Sequence, residues 1–346
     1  MPTLREISAI AGVHYTSLSR ALRGHPGVSA AKAAELRALA EKMGYVPDPM
    51  LRALSAYRTT RRPAAFHSVI AWLNPSPVKA DWRKYRTFRD YFSHGEDRAR
   101  KLGFQLEEIT LPVSGKGAAR VTAMLKARNI GAIIVGPAPE PGMKVEGIGW
   151  QNFSAVRIGH SLSAPPLHVV TANQARAMST VLQQIQLRGY RRPGLFLSQV
   201  MDRRVGGVWA ATFFRAQFDM APENRVRPLL FPALHPNLTE LAAWISAERP
   251  DVVIAIGDDG LLPVLRQQGR RVPDDIGLAV LIQSDTRKAL FSGIDESNDA
   301  IGVAAIDFVV SMLNRQERGL PDTAQVLLID NHWVEGKTLR KPMAAG

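Results

Sequence analysis

The sequence predicts an α/β protein with a three-helix N-terminal head and a larger body of doubly wound parallel sheets in two lobes. Residues 3–43 contain three short amphipathic helical patterns in succession. From residue 67 onward, short apolar runs alternate with helical patterns, and the alternation restarts after the polar stretch 161–166. Such alternation is typical of parallel strands covered by helices on both faces.

Composition supports more than one domain and a polyanionic partner. The 346 residues are 46% hydrophobic, enough for a large core, and the net charge is +13. A basic protein without such a partner stays an alternative on charge alone. The absence of cysteine excludes disulfides and thiolate chemistry. We expect a cytoplasmic protein without a membrane span, because no signal peptide or long apolar run is visible.

The head begins with three helices that carry their own start and stop signals. Thr3 and Glu6 have the spacing of a capping box, and Gly12 is expected to end the first helix. The second helix is predicted over Tyr15–Leu22. The third is predicted over Ser29–Met43, with its first serine as the N-cap. Two helices joined by a glycine-containing turn and braced by a third are a helix-turn-helix arrangement.

The outward face of the second helix is polar and cationic and contains no acid. Its members are Tyr15, Thr16, Ser19, Arg20 and Arg23. Hydrogen-bonding groups and cations without carboxylates suit a groove lined by phosphates. An ordinary solvated face remains the alternative, since exposed polar faces are common.

Several spaced segments of the head resemble the DNA-binding domain of the lactose/galactose repressor (LacI/GalR) family. They are TLREISAIAGV (3–13), SLSRAL (17–22), VS (28–29) and GYVPDP (44–49). The resemblance implies a sequence-specific regulator that binds double-stranded operator DNA as a homodimer. It places three side chains against base edges in the major groove: Tyr15, Thr16 and Arg20. It places four near phosphates: Thr3, Ser17, Ser19 and Ser29.

Two residues of the head depart from the family pattern. His14 stands where the family usually has a small capping serine, and Arg23 stands where asparagine is common. Both add possible DNA contacts or shift the preferred operator. The operator sequence therefore does not carry over from the family.

The segment after the head is predicted to be a hinge helix. Pro47 and Pro49 are expected to stiffen the exit, and residues 50–57 (MLRALSAY) are predicted to form a helix too short to be stable alone, since the practical minimum is about 12 residues. The resemblance implies that two such helices enter the minor groove, where Leu54 wedges between base pairs and kinks the DNA. A plain linker is the alternative.

The body is predicted from its alternating pattern. Strands are expected at 67–74, 104–109, 130–135, 154–158, 194–198, 252–256, 276–282 and 326–329. Helices are expected at 86–102, 118–128, 175–188, 204–217, 261–268 and 299–314.

The body also resembles the same family, which implies a periplasmic-binding-protein-like pair of lobes. The segments of the body that carry this resemblance most clearly are LRGYRRPGLFLS (187–198), RVGG (204–207), GDDG (257–260) and GRRVPDDIGL (269–278). The implied domains are the head (1–46), the hinge (47–63), the N-terminal lobe (64–162 plus 295–323) and the C-terminal lobe (163–294 plus 324–341).

The resemblance places a small-molecule effector between the lobes, beyond the carboxyl ends of the strands. Arg204 would donate to a hydroxyl pair or a carboxylate, and Asp258 would accept from hydroxyls. Ala172-Asn173 stands where the family commonly has Asp-Asn, which leaves Asn173 as the polar position. Because Ile282 also replaces an acidic residue, we expect an acidic or aromatic-bearing ligand, or no ligand, ahead of a bare neutral monosaccharide.

Trp82 lies in an aromatic and basic stretch, residues 74–91. The sequence leaves two alternatives open: Trp82 lines the mouth of the cleft and contacts the effector, or it belongs to the core under a long loop.

No catalytic residue, metal site or cofactor is predicted. The sequence lacks HExxH spacing, a Walker loop, a G-x-S-x-G elbow and G-x-G-x-x-G after a strand. We therefore expect a transcription regulator, foremost a repressor, that binds a pseudo-palindromic operator and responds to a sugar or sugar-derived acid. The alternatives are an activator, an effector-independent regulator and a solute-binding protein with a vestigial head.

Overall fold

The computed structural model describes residues 4–22, 28–45, 68–75, 82–111, 116–258, 260–283 and 290–342, with Ser19 and Lys116 described by their backbone alone. The head contains the three predicted helices. Gly12 ends the first of them with a left-handed φ of +60°, a conformation that glycine adopts at little cost. Ser29 caps the third by accepting from the Lys32 amide. The bounds are α1 (Leu4–Ile10), α2 (Tyr15–Leu22) and α3 (Ala30–Lys42).

One apolar cluster holds the head together. Ile7 of α1, Leu18 of α2 and Leu36 of α3 are at most 1% exposed and pack against one another's helices. Because helices this short are marginal in isolation, this shared core is what stabilises all three. The polar sides of the three helices therefore face outward.

The first lobe is built on a parallel six-stranded sheet of order β13-β7-β5-β3-β1-β2. Its strands are β1 (Ser68–Pro75), β2 (Phe104–Leu111), β3 (Ala132–Val135), β5 (Ser154–Ile158), β7 (His168–Ala172) and β13 (Val326–Ile329). Its helices are α4 (Arg86–Lys101), α5 (Lys116–Ala127) and α11 (Asn298–Arg315). Two short strands, β4 (Met143–Lys144) and β6 (Leu162–Ala164), pair beside it.

The second lobe has a six-stranded sheet of order β14-β12-β11-β10-β8-β9, parallel except for the β12–β14 pair. Its strands are β8 (Pro193–Ser198), β9 (Leu229–Phe231), β10 (Val252–Ala255), β11 (Gly277–Val280), β12 (Ser292–Asp295) and β14 (His332–Val334). Its helices are α6 (Gln174–Leu187), α7 (Gln199–Arg204), α8 (Val208–Phe218), α9 (Leu238–Glu248) and α10 (Leu261–Gln267).

Each sheet is covered on both faces by apolar side chains. Ile133 and Ile134 of β3, adjacent in sequence, point into the two different clusters of the first lobe. Val253 and Ile254 of β10 do the same in the second lobe. Burial on both faces explains why these strands read as continuous apolar runs. The predicted doubly wound fold class is confirmed.

The chain crosses between the lobes at points that correct the predicted boundaries. β7 and β13 pair with each other in the first sheet, so the crossings follow residues 172 and 329. The boundaries predicted at 162/163 and 323/324 are therefore too early, because the pairing of β7 with β13 joins segments distant in sequence. The chain passes from β12 to α11 after residue 295.

The helix predicted over 204–217 is also corrected. Two helices stand there, α7 and α8, separated at Gly206 and Gly207, whose φ values are +79° and +75°. The Gly207 amide donates to the Asp202 carbonyl at 2.8 Å, which closes the first helix. Two successive left-handed residues cannot continue an α-helix.

Candidate functional site

The outward side of α2 carries the side chains that the resemblance assigns to base edges. Tyr15 is 48% exposed, and Thr16 and Arg20 are exposed, whereas Leu18 and Ala21 of the same helix are fully buried. The helix is therefore anchored on one side and presents a phenol, a hydroxyl and a guanidinium on the other. These groups are able to donate and accept hydrogen bonds at base edges.

His14 shapes the start of this helix. Its Nδ1 lies 2.8 Å from Thr16 Oγ1 and accepts a longer hydrogen bond, 3.4 Å, from the Thr16 amide. The ring also contacts Tyr15, with centroids 5.2 Å apart. His14 thus caps the N-terminus of α2, the role that a serine has in the family pattern. Because Nδ1 accepts from the amide, the Thr16 hydroxyl donates to the same nitrogen.

The predicted phosphate contacts are described only in part. Ser17 is half-buried, and Ser29 is exposed with its hydroxyl committed to the cap of α3. The side chain of Ser19 and all of Thr3, Arg23 and Leu54 lie outside the described residues. The roles of these four stay predictions.

Arg204, the first predicted effector contact, lies between the lobes. It ends α7 of the second lobe, and its guanidinium donates to the carbonyl oxygens of Ala138 and Pro139 of the first lobe at 2.7 and 2.6 Å. The guanidinium also lies over the Phe88 ring, 5.5 Å from its centroid. Burial lowers the pKa of Arg204, although the group stays a cation.

Asn173 and Asp258 are helix caps in this structure. Asn173 Oδ1 accepts from the Arg176 amide at the start of α6, and its Nδ2 donates to Asp330 at 3.0 Å. Asp258 accepts from the Leu262 amide at the start of α10. Both lie where the resemblance places ligand contacts, at the carboxyl side of a strand, but their described hydrogen bonds are structural.

Trp82 packs within the first lobe. It is 7% exposed, and its ring lies 5.5 Å from that of Phe92. The indole N–H donates to a carboxylate oxygen of Glu108 on β2, and Arg83 lies over the ring at 4.8 Å. These contacts support the core alternative for Trp82 over the cleft-mouth alternative.

A buried polar chain at the lobe junction was missed by sequence reasoning. Trp209 Nε1 donates to Gln174 Oε1 at 2.7 Å, and Gln174 Nε2 donates to Glu296 Oε1 at 2.6 Å. All three residues are at most 8% exposed. They come from α8, α6 and the crossing after β12, so no local motif joins them. The readable signal was a glutamate directly after a buried strand.

Electrostatics single out Glu296 within this chain. Burial raises its pKa to about 7, and the hydrogen bond from Gln174 opposes that rise. The pKa of Tyr91, which faces the junction from α4, is also raised by burial and by the charge of Glu296. Raised carboxyl pKa values occur both at functional sites and in structural networks. Because Glu296 also lies at the junction of the lobes, it is a candidate functional residue.

Other kinds of site receive no support from the described part of the chain. Residues 4–342, apart from the gaps given above, hold no group of three histidine, cysteine, aspartate or glutamate residues able to bind a metal ion. Among the helices described, none combines the length and apolarity needed to cross a bilayer.

Comparison with solved structures identifies the architecture. The lac repressor dimer bound to operator and the anti-inducer ONPF aligns over 98% of this chain and 99% of its own, at 16% identity and a TM-score of 0.60. The transcriptional regulator CelR in complex with cellobiose aligns over 98% and 100%, at 17% identity and 0.57. The chain has the fold of the LacI-family regulators. The resemblance inferred from the head is thereby confirmed at the level of fold.

A further solved structure aligns with most of the chain. A periplasmic binding protein/LacI transcriptional regulator from Alkaliphilus metalliredigens, complexed with D-xylulofuranose, aligns over 79% of this chain and all of its own, at 11% identity and a TM-score of 0.56. No protein-family model and no curated protein sequence matches the chain.

Proposed function

We propose that the protein is a sequence-specific DNA-binding transcription regulator, foremost a repressor, that acts as a homodimer on a pseudo-palindromic operator. The observation that carries the proposal is the outward side of α2. A buried apolar side fixes that helix in a helix-turn-helix head, while Tyr15, Thr16 and Arg20 are exposed without a neighbouring acid on the helix. The net charge of +13 agrees with a polyanionic partner.

The two-lobed body supports dimerisation and control by a small molecule bound between the lobes. CelR is solved with cellobiose and the Alkaliphilus protein with D-xylulofuranose, which supports a sugar or sugar-derived acid as the effector class. Ligand control requires different affinities for two arrangements of the lobes. Arg204, Asn173 and Asp258 remain the proposed contacts, with Arg204 the best placed of them, whereas the packing of Trp82 within the first lobe argues against a contact there.

A second candidate is a regulator that acts without an effector. One observation favours it: the N–H groups of Arg204 that would hold a ligand already donate to backbone carbonyls. A calorimetric screen of neutral sugars and sugar acids separates the candidates. Binding of a sugar acid supports ligand control, whereas no heat from the whole panel supports the effector-independent regulator.

The proposed function is tested by selection from a random duplex pool. Full-length protein is incubated with the pool at moderate ionic strength, and bound duplexes are amplified over several rounds. We expect one common sequence with inverted-repeat symmetry. A pool that stays random would contradict sequence-specific binding, and the body would then be a receptor whose head has no DNA role.

A further inference from the structure

Arg204 joins the two lobes through its own side chain. Its backbone belongs to α7 of the second lobe, yet both terminal nitrogens donate to Ala138 and Pro139, which follow β3 of the first lobe. The planar guanidinium thus spans two neighbouring carbonyls on one stretch of backbone. A fork of this kind loses little side-chain freedom per hydrogen bond formed.

The accepting carbonyls are held in place by the first lobe. Ala138 is fully buried in an apolar cluster of that lobe, and its amide donates to Ser161 Oγ at 2.9 Å. The acceptor is therefore positioned before Arg204 reaches it. Separation of the lobes would leave a buried carbonyl without this donor, which costs free energy unless water enters.

The cation is stabilised by contacts that exist only while the lobes touch. The Phe88 ring of the first lobe lies under the guanidinium at 5.5 Å. Burial lowers the pKa of Arg204, because removal from water disfavours the cation. A buried cation is costly unless its donors are satisfied, so the closed arrangement depends on both carbonyls.

We propose that Arg204 is a latch that holds the two lobes together in the absence of a small molecule. A ligand that engages the guanidinium must replace both carbonyls, so ligand binding and lobe closure compete for the same donors. If Arg204 served only to bind a ligand, the lobes would instead close only when that ligand was present. Any effect of the latch on DNA binding rests on the proposed function, whereas the latch itself does not.

The latch is tested by measuring the distance between the lobes in DNA-free and ligand-free protein. The chain has no cysteine, so Glu140→Cys and Ala211→Cys provide two unique spin-label sites, both exposed and one in each lobe. Labelled protein is diluted with unlabelled protein, so that each dimer carries one labelled subunit. We expect one narrow distance distribution, and we expect Arg204→Gln to lengthen its mean by more than about 2 Å, the scale of a domain rearrangement.

Arg203→Gln is the matched control, because Arg203 is the adjacent, exposed arginine of the same helix. It should leave the distribution unchanged, and Arg204→Lys, which keeps the charge but not the fork, should broaden it. Circular dichroism checks that each variant is folded. If folded Arg204→Gln and Arg204→Lys both match the unsubstituted protein, Arg204 is not a latch. Because no DNA is present, this outcome is independent of whether the protein selects an operator.

Discussion

Arg20 is the residue whose loss tests base recognition most simply. It is exposed on α2, away from the buried Leu18 and Ala21, so its removal leaves the core of the head intact. We expect Arg20→Ala to weaken binding to the selected sequence by about 1–3 kcal/mol and to relax preference at one base pair of each half-site. Competition binding against single-base variants of the selected duplex measures both effects.

Arg20→Lys separates base recognition from charge. Lysine keeps the attraction to phosphates but lacks the bidentate fork that suits guanine. We expect it to retain binding to random duplex while losing preference at the same base pair. Equal losses on selected and random DNA for Arg20→Ala would show that Arg20 contacts phosphate only.

Glu296 gives a pH-dependent prediction of defined sign. Burial raises its pKa from 4.5 to about 7, so the folded state holds this proton more tightly than the unfolded state. The stability it contributes is complete below about pH 4.5 and is lost as the pH rises to about 7, a difference of about 3 kcal/mol. Glu296→Gln stays uncharged and is able to accept from Gln174. We therefore expect the free energy of unfolding of Glu296→Gln, relative to that of the unsubstituted protein, to increase from pH 5 to pH 8.

Chemical denaturation at a series of pH values measures this gain, because all other titrating groups are common to both proteins. Glu146, which is exposed, provides the control: Glu146→Gln should show no comparable trend. A stability difference between Glu296→Gln and the unsubstituted protein that stays constant from pH 5 to pH 8 would contradict the raised pKa.

At the scale of elements, local signals were readable and long-range pairing was not. The three head helices and the cap at Ser29 were predictable because each depends on neighbours in sequence. The break at Gly206-Gly207 was missed because apolar residues continue on both sides of it. α9 was also missed, although Asn237 before it is a readable N-cap.

The candidate site divides in the same way. The exposed side of α2 follows from helical periodicity, so the sequence predicted it well. The carbonyl partners of Arg204 and the chain of Trp209, Gln174 and Glu296 depend on which segments meet at the lobe junction. Which segments meet is set by the pairing of β-strands that are distant in sequence. Local sequence patterns carry no information about that pairing.

The predicted hinge helix supplies the element-scale test. Leu54 lies outside the described residues, and the resemblance assigns it to the centre of the operator. We expect Leu54→Ala to reduce DNA bending strongly while the heads still bind, because unstacking of a base step needs an apolar wedge. Gel mobility of circularly permuted operator fragments measures the bend. Leu51→Ala, in the same predicted helix, is the control, and an unchanged bend in Leu54→Ala would remove the wedge role.

For the whole molecule, the head and the body explain different parts of the proposed activity. The head is a single helix-turn-helix with one recognition helix, and one such unit reads only a few base pairs. In the proposed function, the two-lobed body pairs two heads, and movement of the lobes about the junction at Arg204 and Glu296 would alter that pairing. We therefore expect specific recognition to require two protomers acting on two half-sites.

The most direct test of this claim compares the selected duplex with a version in which one half-site is replaced by random sequence. Binding is measured by fluorescence anisotropy at constant ionic strength, and the number of protomers per duplex is measured by analytical ultracentrifugation. We expect two protomers on the intact site and a loss of at least about 100-fold in affinity when one half-site is removed, since several base pairs at about 1–3 kcal/mol each are lost. Equal affinity for the intact and half-removed duplexes, or one protomer per intact site, would contradict the account.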